Sequence, residues 1–329
     1  MALSCFRLSA VKERRLMKVI EHIHNAKNPS FSYEIIPPLR GKTVRDILDI
    51  VEKIKKYNPP WIDVTSHSAE AHYEESHDGS VRRVVRKKRP GTISICGIIQ
   101  NRFNIDTVPH LLCRGFTKEE TEDALIELNY LGIENVLAIR GDETNYKKSI
   151  HGRKENYYAS DLVGQISDLK KGIYVEELLN AEPMNFCIGV AGYPEKHFEA
   201  PNLKTDIDFL KGKIKVGAEY LVTQMFFDNN HYYQYVEDCR KSGITVPIIP
   251  GLKLLSSTAQ MKSIPKNFYV DLPNELVDEV NESPENVKEI GQNWCQKQCE
   301  DLLNNKVNNL HFYVMNHADS ILQIVENLN

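Results

Sequence analysis

The sequence predicts an α/β fold, a single-domain (β/α)8 TIM barrel with a lead-in N-terminal helix, and three observations predict it. Eight short β-rich runs alternate with amphipathic helical stretches, the alternation continues to the C-terminus, and no Pro/Gly/Ser-rich linker breaks it. Repeated strand-then-helix units favour parallel pairing with right-handed crossovers. Eight such units over about 300 residues suit a closed barrel better than an open sheet.

The expected strands are Ser32–Ile36, Trp61–Ser66, Thr107–Cys113, Asn135–Arg140, Phe186–Gly192, Tyr220–Phe227, Val246–Leu252 and Leu310–Met315. Helical patterns fall at Val44–Tyr57, Lys118–Leu131, Asp161–Lys171, Asp206–Val216, His231–Lys241 and Glu289–Leu303. In the first of these, Ile47, Leu48, Val51 and Ile54 recur at the three-and-four spacing of one apolar helix face. Residues 1–29 form the lead-in helix and 30–329 the barrel, with 91–104 read as an excursion inserted before the third strand.

Composition excludes several classes of function. The 329 residues carry 41 basic and 45 acidic side chains, a net charge of −4, so nothing attracts nucleic acid broadly. The one basic cluster, Arg82-Arg83 through Arg86-Lys87-Lys88-Arg89, reads as a solvated helix face around Val84 and Val85. Seven scattered cysteines without metal-ligand spacing imply free thiols in a reducing compartment, the cytoplasm. The N-terminus has no continuous apolar core, so a secretory signal is not expected, and no run of about 18 apolar residues would span a membrane.

The run Phe31-Ser-Tyr-Glu-Ile-Ile-Pro-Pro-Leu39 sets a carboxylate inside an otherwise apolar strand. Burial there raises the pKa of Glu34 toward the range useful for proton transfer, and Pro37-Pro38 ends the strand just beyond it. An acid delivered at a strand end suits an active site; a structural ion pair with a buried cation is the equal alternative on this strand alone.

Further polar side chains sit at strand ends throughout. Arg140-Gly141-Asp142 places a cation, a small residue and an anion where backbone can approach a ligand, or makes a turn with an internal ion pair. Tyr193 and His197 offer a ring beside a titratable ring, although a surface loop looks similar. Lys213 reaches a phosphate or is solvated, and Gln224 suits an amide-like heterocycle or is a buried glutamine satisfied by backbone. No GxGxxG, P-loop, GxSxG or HExxH motif occurs, and His110 with His197 makes no metal set.

In order along the chain, Ser32-Tyr-Glu-Ile-Ile-Pro-Pro38, Val64-Thr65, Pro109-His110-Leu111, Arg140-Gly141-Asp142, Tyr158-Ala-Ser-Asp-Leu162, Gly192-Tyr-Pro-Glu-Lys-His197, Thr223-Gln224 and His311-Phe-Tyr313 resemble the methylenetetrahydrofolate reductases, from about residue 20 onward. The resemblance is to the short bacterial form without a C-terminal regulatory domain. It implies non-covalent FAD held by Thr65, His110, Arg140, Gly141, Asp142, Tyr158, Ala159, Tyr193, His197, Ala200, Asp206 and Lys213.

The resemblance also implies NAD(P)H as electron donor and 5,10-methylenetetrahydrofolate as substrate, reduced to 5-methyltetrahydrofolate for methionine synthesis by ping-pong hydride transfer. Glu34 falls on the family's general acid, Asp142 on a folate contact that also influences the flavin, and Gln224, Tyr313 and His317 on substrate-binding positions. A homo-oligomer, without nucleic acid or membrane partners, is the expected assembly. Ser256-Ser257-Thr258, Asn316-His317, Phe209 and Gly212 depart from the family pattern. The competing readings are a proline-dehydrogenase-like flavoenzyme, a reductase fed by a partner protein, and a flavin-free folate-binding methyltransferase barrel.

Overall fold

A computed structural model describes residues 16–87, 89–141, 152–315 and 317–328. Of the expected lead-in helix over 1–29, residues 1–15 lie outside the described residues, and the described remainder is helical only in α1 (Val19–Asn25). It stops the N-terminal end of a barrel: Val19 packs among Trp61, Val108, Leu137, Cys187, Tyr220, Val222 and Ile249. His22 Nε2 lies 2.6 Å from Asp106 Oδ2, and the Val19 N–H donates to Asn135 Oδ1 at 2.8 Å. Those polar ties fix the plug to two strand starts, where the buried apolar contacts alone would let it slide.

The first strand, β1 (Ser30–Ile35), is followed by α2 (Arg45–Lys55), whose Ile47, Ile50, Val51 and Ile54 are buried along one face as the spacing predicts. After β2 (Trp61–Val64) the chain makes an antiparallel hairpin of β3 (Ala69–Glu75) and β4 (Val81–Lys87), a sheet apart from the barrel. The basic cluster therefore lies largely on a strand and not on a helix. A two-stranded ribbon standing apart from the barrel sheet need not carry a core-facing apolar period, and its exposed Tyr73, Val81 and Val85 show none.

Residues 91–104 are likewise no excursion. They form α3 (Thr92–Ile98), continued by a π-helical turn over Ile99–Phe103, and bury Ile95, Cys96, Ile99 and Phe103 in the main core. This is the crossover helix between the second and third barrel strands. Its β-branched residues and Gly97 are poor helix formers, so tertiary burial decides the conformation.

The remaining units follow in sequence: β5 (Asp106–Leu112), α4 (Lys118–Tyr130), β6 (Asn135–Ile139), α5 (Ala159–Leu169), β7 (Cys187–Gly192), α6 (Leu203–Lys215), β8 (Tyr220–Thr223) and α7 (Asn229–Lys241). The seventh barrel strand is split into β9 (Ile248–Ile249) and β10 (Gly251–Leu252), because Pro250 has no N–H to give the ladder. The Pro250 carbonyl still accepts the His311 N–H at 3.0 Å. Three helices, α8 (Gln260–Phe268), α9 (Asn274–Glu282) and α10 (Val287–Asn304), precede β11 (Asn309–Met315) and α11 (Asp319–Leu328).

All pairings in the large sheet are parallel, in the order β10-β11-β1-β2-β5-β6-β7-β8-β9. The two sheet ends are the halves of one strand, so the sheet closes on itself as a (β/α)8 barrel. Each of the eight expected strands overlaps one of its staves. Inward side chains alternate with outward ones, and the inward set turns from apolar at the α1 end to polar at the C-terminal mouth. No described helix is long and apolar enough to cross a membrane, and the described residues contain no cluster of metal ligands.

Candidate active site at the C-terminal mouth

Four adjacent staves, β11, β1, β2 and β5, supply one half of the site. Glu34 on β1 and Asp63 on β2 are register partners. His110, near the end of β5, places Nε2 3.6 Å from Glu34 Oε2 and 3.5 Å from Asp63 Oδ1. On the far side, His311 Nδ1 is 3.8 Å from Asp63 Oδ2 and 2.9 Å from Ser32 Oγ. Asp63 is wholly buried, and neither of its carboxylate oxygens has a hydrogen-bond partner among the described residues.

Burial dominates the titration of this cluster. It raises Glu34 to about 7; His110 and Lys253 pull the other way, while Asp63 adds to the rise. For His110, burial opposes protonation but Asp63 and Glu34 together outweigh it, so its pKa is raised. His311 is lowered, by burial first and by His110 as well, against the pull of Asp63. Lys253 donates to the Tyr313 carbonyl at 2.9 Å, and the Tyr313 hydroxyl donates to the Thr223 carbonyl at 2.5 Å. Next to it Gln224 is half-buried, its Oε1 accepting the Met225 N–H at 2.9 Å.

The other half of the site stands on β6, β7 and α6. Arg140, after β6, is ion-paired with Glu199, whose second oxygen lies 4.0 Å from Arg114. The Arg140 guanidinium sits 5.4 Å from the Tyr158 ring centroid, and its Nε is buried with no hydrogen-bond partner among the described residues. Gly141 follows at φ +83°, a left-handed conformation that a side chain rarely adopts.

The loop after β7 brings Tyr193 and His197 edge to face at 4.6 Å. Asp206 accepts the His197 N–H at 2.9 Å, the Ala200 N–H donates to the His197 carbonyl, and Lys213 donates to the Ala191 carbonyl at 2.9 Å. Lys196, in the same loop, is held at φ +83°, strain that surrounding contacts must sustain.

Here cations set the electrostatics. Burial, then Lys213, Arg140, Lys196 and Arg114, push His197 down to about 4. Its Nδ1 accepts the Glu199 N–H at 3.2 Å, which suits the neutral ring. Lys213 is pushed down to about 8 by burial, with Asp206 opposing. Four cations around two acids make a seat for an anion.

Of the residues singled out in the sequence, Glu34, His110 and Tyr313 share the interior cluster, with Gln224 beside it. Arg140, Gly141, Tyr158, Tyr193, His197, Ala200, Asp206 and Lys213 share the cationic half, and Ala159 opens α5 beside Tyr158. Thr65 follows β2, its hydroxyl 3.1 Å from His67 Nε2. His317 is exposed beyond β11, and no described contact ties it to the cluster. Asp142 lies outside the described residues.

Sequence reasoning missed Asp63, His311, Lys253, Arg114 and Glu199. Asp63 carried the same signal as Glu34, a charge in an apolar strand, Trp61-Ile-Asp-Val64.

The methylenetetrahydrofolate reductase family model matches residues 18–329. The chain belongs to this family. Among its relatives, Methylenetetrahydrofolate reductase 1 of Schizosaccharomyces pombe is 30% identical over 303 residues, covering 91% of this chain and 46% of the relative. Methylenetetrahydrofolate reductase (NADH) 1 of Arabidopsis thaliana is 30% identical, with coverage of 95% and 51%. The chain thus spans about half the length of these relatives.

The 5,10-methylenetetrahydrofolate reductase of Escherichia coli is 27% identical over 300 residues, 90% of each chain. A solved structure of a Clostridium thermocellum protein, described as uncharacterized and binding two copies of 5-methyl-5,6,7,8-tetrahydrofolic acid, superposes with a TM-score of 0.56. It covers 94% of this chain and 98% of that one at 13% identity, a likeness of fold.

Proposed function

We propose that the protein reduces 5,10-methylenetetrahydrofolate to 5-methyltetrahydrofolate with NADH or NADPH through bound FAD, and that Glu34 is its general acid. The single observation that carries the reading is Glu34 itself. A carboxyl raised to about 7 at the mouth of a barrel of this family is protonated in about half of the molecules at neutral pH and can give that proton up. The folate's five-membered ring opens to an electrophilic iminium only when its departing nitrogen is protonated, and Glu34 Oε2 is the proton source.

The cationic half of the site fits FAD. Arg140, with its unpartnered Nε, and Lys213 would hold the diphosphate, and Gly141 leaves backbone free to come close. Thr65, His110, Tyr158, Ala159, Tyr193, His197, Ala200 and Asp206 would complete the cradle. When bound, FAD supplies the two-electron carrier between nicotinamide and folate. Gln224 and Tyr313 line the mouth for the pterin, joined in this proposal by Asp142 and His317. One mouth serves two ring-shaped ligands, so they take turns, which gives ping-pong kinetics.

The C. thermocellum fold neighbour, described as binding a methylated tetrahydrofolate, supports a folate for this fold. The barrel from residue 30 onward is the reacting unit. The six described cysteines, all buried and free, suit the reducing cytoplasm.

Stopped-flow measurement of the two half-reactions tests the acid. In Glu34→Gln, reduction of the protein by nicotinamide persists while its reoxidation by folate falls about a hundredfold to ten-thousandfold. Folate reduction at the wild-type rate contradicts the assignment.

A further inference from the structure

We propose that Asp63 and His110 form a buried proton store that recharges Glu34 after each donation, with His110 handing over the proton and Asp63 as the positioning residue. The proposal rests on the reading of Glu34 as the general acid. One imidazole nitrogen stands between two carboxylates, 3.6 Å from Glu34 and 3.5 Å from Asp63. These are longer than hydrogen bonds, as catalytic contacts often are before a ligand tightens the site.

Asp63 is the unusual member. A buried carboxylate without a hydrogen-bond partner is costly unless an opposite charge compensates it. Its candidates are the two histidines. The surrounding groups choose between them: His110 faces both Asp63 and Glu34 and is raised, whereas His311 faces Asp63 and His110 and is lowered. The other titratable groups around the pair are Lys253 after β10, Tyr313 on β11, Tyr220 on β8 and Cys96 on α3. Burial pushes the last three up and Lys253 down.

The proton balance closes. Glu34 loses a proton to the departing nitrogen and becomes a carboxylate. The His110 Nε2–H breaks as a new O–H forms at Glu34 Oε2, leaving a neutral imidazole. Water from the opened mouth returns a proton to His110 once the ring ligand leaves. Glu34 has only 8% of its surface exposed, so a ligand over the mouth would otherwise delay its recharging until departure.

The test is a histidine 15N NMR titration of the full-length, FAD-loaded protein, with His110→Gln used for assignment. His110 should titrate above the free imidazole value of about 6.5 and His311 below it. In Asp63→Asn, the His110 midpoint should fall by about one pH unit or more. In the same variant at pH 6, where Glu34 starts protonated, the first folate turnover of pre-reduced protein should slow less than threefold, and steady-state turnover at least tenfold.

A wild-type His110 still neutral at pH 6 overturns the store, and this outcome holds even if Asp63→Asn fails to fold. Equal slowing of first and later turnovers also overturns it. An unaffected Glu34→Gln would instead overturn the acid, which the titration does not depend on.

Discussion

The two halves of the barrel mouth use burial to opposite ends. On the arc β11-β1-β2-β5, two carboxylates are set among two histidines and a lysine: Glu34 rises to about 7 and His110 rises, while His311 and Lys253 are lowered. On the arc of β6, β7 and α6, four cations outnumber Glu199 and Asp206, and proton affinity falls: His197 to about 4, Lys213 to about 8. Desolvation, which penalises whichever form is charged, is the largest cause of the shifts of Glu34, His197 and Lys213, whereas His110 rises against it because Asp63 and Glu34 outweigh it. Glu34 therefore tends to keep its proton on one side, and His197 and Lys213 tend to shed theirs on the other. One arc is built to give a proton, the other to hold a negative group.

The comparison is broken most severely at Glu34. Replacing it by Gln removes the proton and leaves the cationic arc intact, so the half-reaction with folate alone should fall by the hundredfold to ten-thousandfold stated above.

The next effect is on stability. Glu34 binds its proton more tightly in the folded chain, about 7 against 4.5 unfolded. Its favourable share is thus fully present below 4.5 and is lost as pH rises through 7. Over that window the loss is on the order of 3 kcal/mol. Urea unfolding at pH 5 and pH 8 should show the wild type losing more stability than Glu34→Gln across the interval. Parallel losses would mean that the interior does not resist the ionised carboxylate.

Smaller still is the effect of Arg140→Leu on the opposite arc. Loss of one charge-assisted contact, about 1.5–3 kcal/mol, should weaken FAD binding by roughly ten- to a hundredfold in a fluorescence titration. It should also raise the His197 midpoint from about 4, because one of the cations suppressing it is gone. Unchanged FAD affinity would remove Arg140 from the cradle.

How legible this site was follows from the same contrast. The eight staves were readable because each is a β-rich run with a helix pattern after it, and Glu34 because it interrupts such a run. Asp63 interrupts one equally, but the pair beside its strand, Pro59-Pro60, precedes the strand rather than ending it, and only the register beside Glu34 gives Asp63 meaning. On the cationic arc, Arg114 and Glu199 are ordinary surface residues in sequence; the fold alone sets them around Arg140. The hairpin β3–β4 and the helix α3 were misread for opposite reasons: the ribbon buries too little to impose a period, and α3 buries so much that its composition resembles a strand.

The central claim is that the barrel interior raises Glu34 from the ordinary carboxyl range so that it titrates near neutral pH. The direct measurement is an infrared difference titration of the protonated carboxyl band, wild type minus Glu34→Gln, from pH 4 to pH 9. The structure leads to a band that the substitution removes and that titrates at about 7. A band already lost by pH 6 would contradict it.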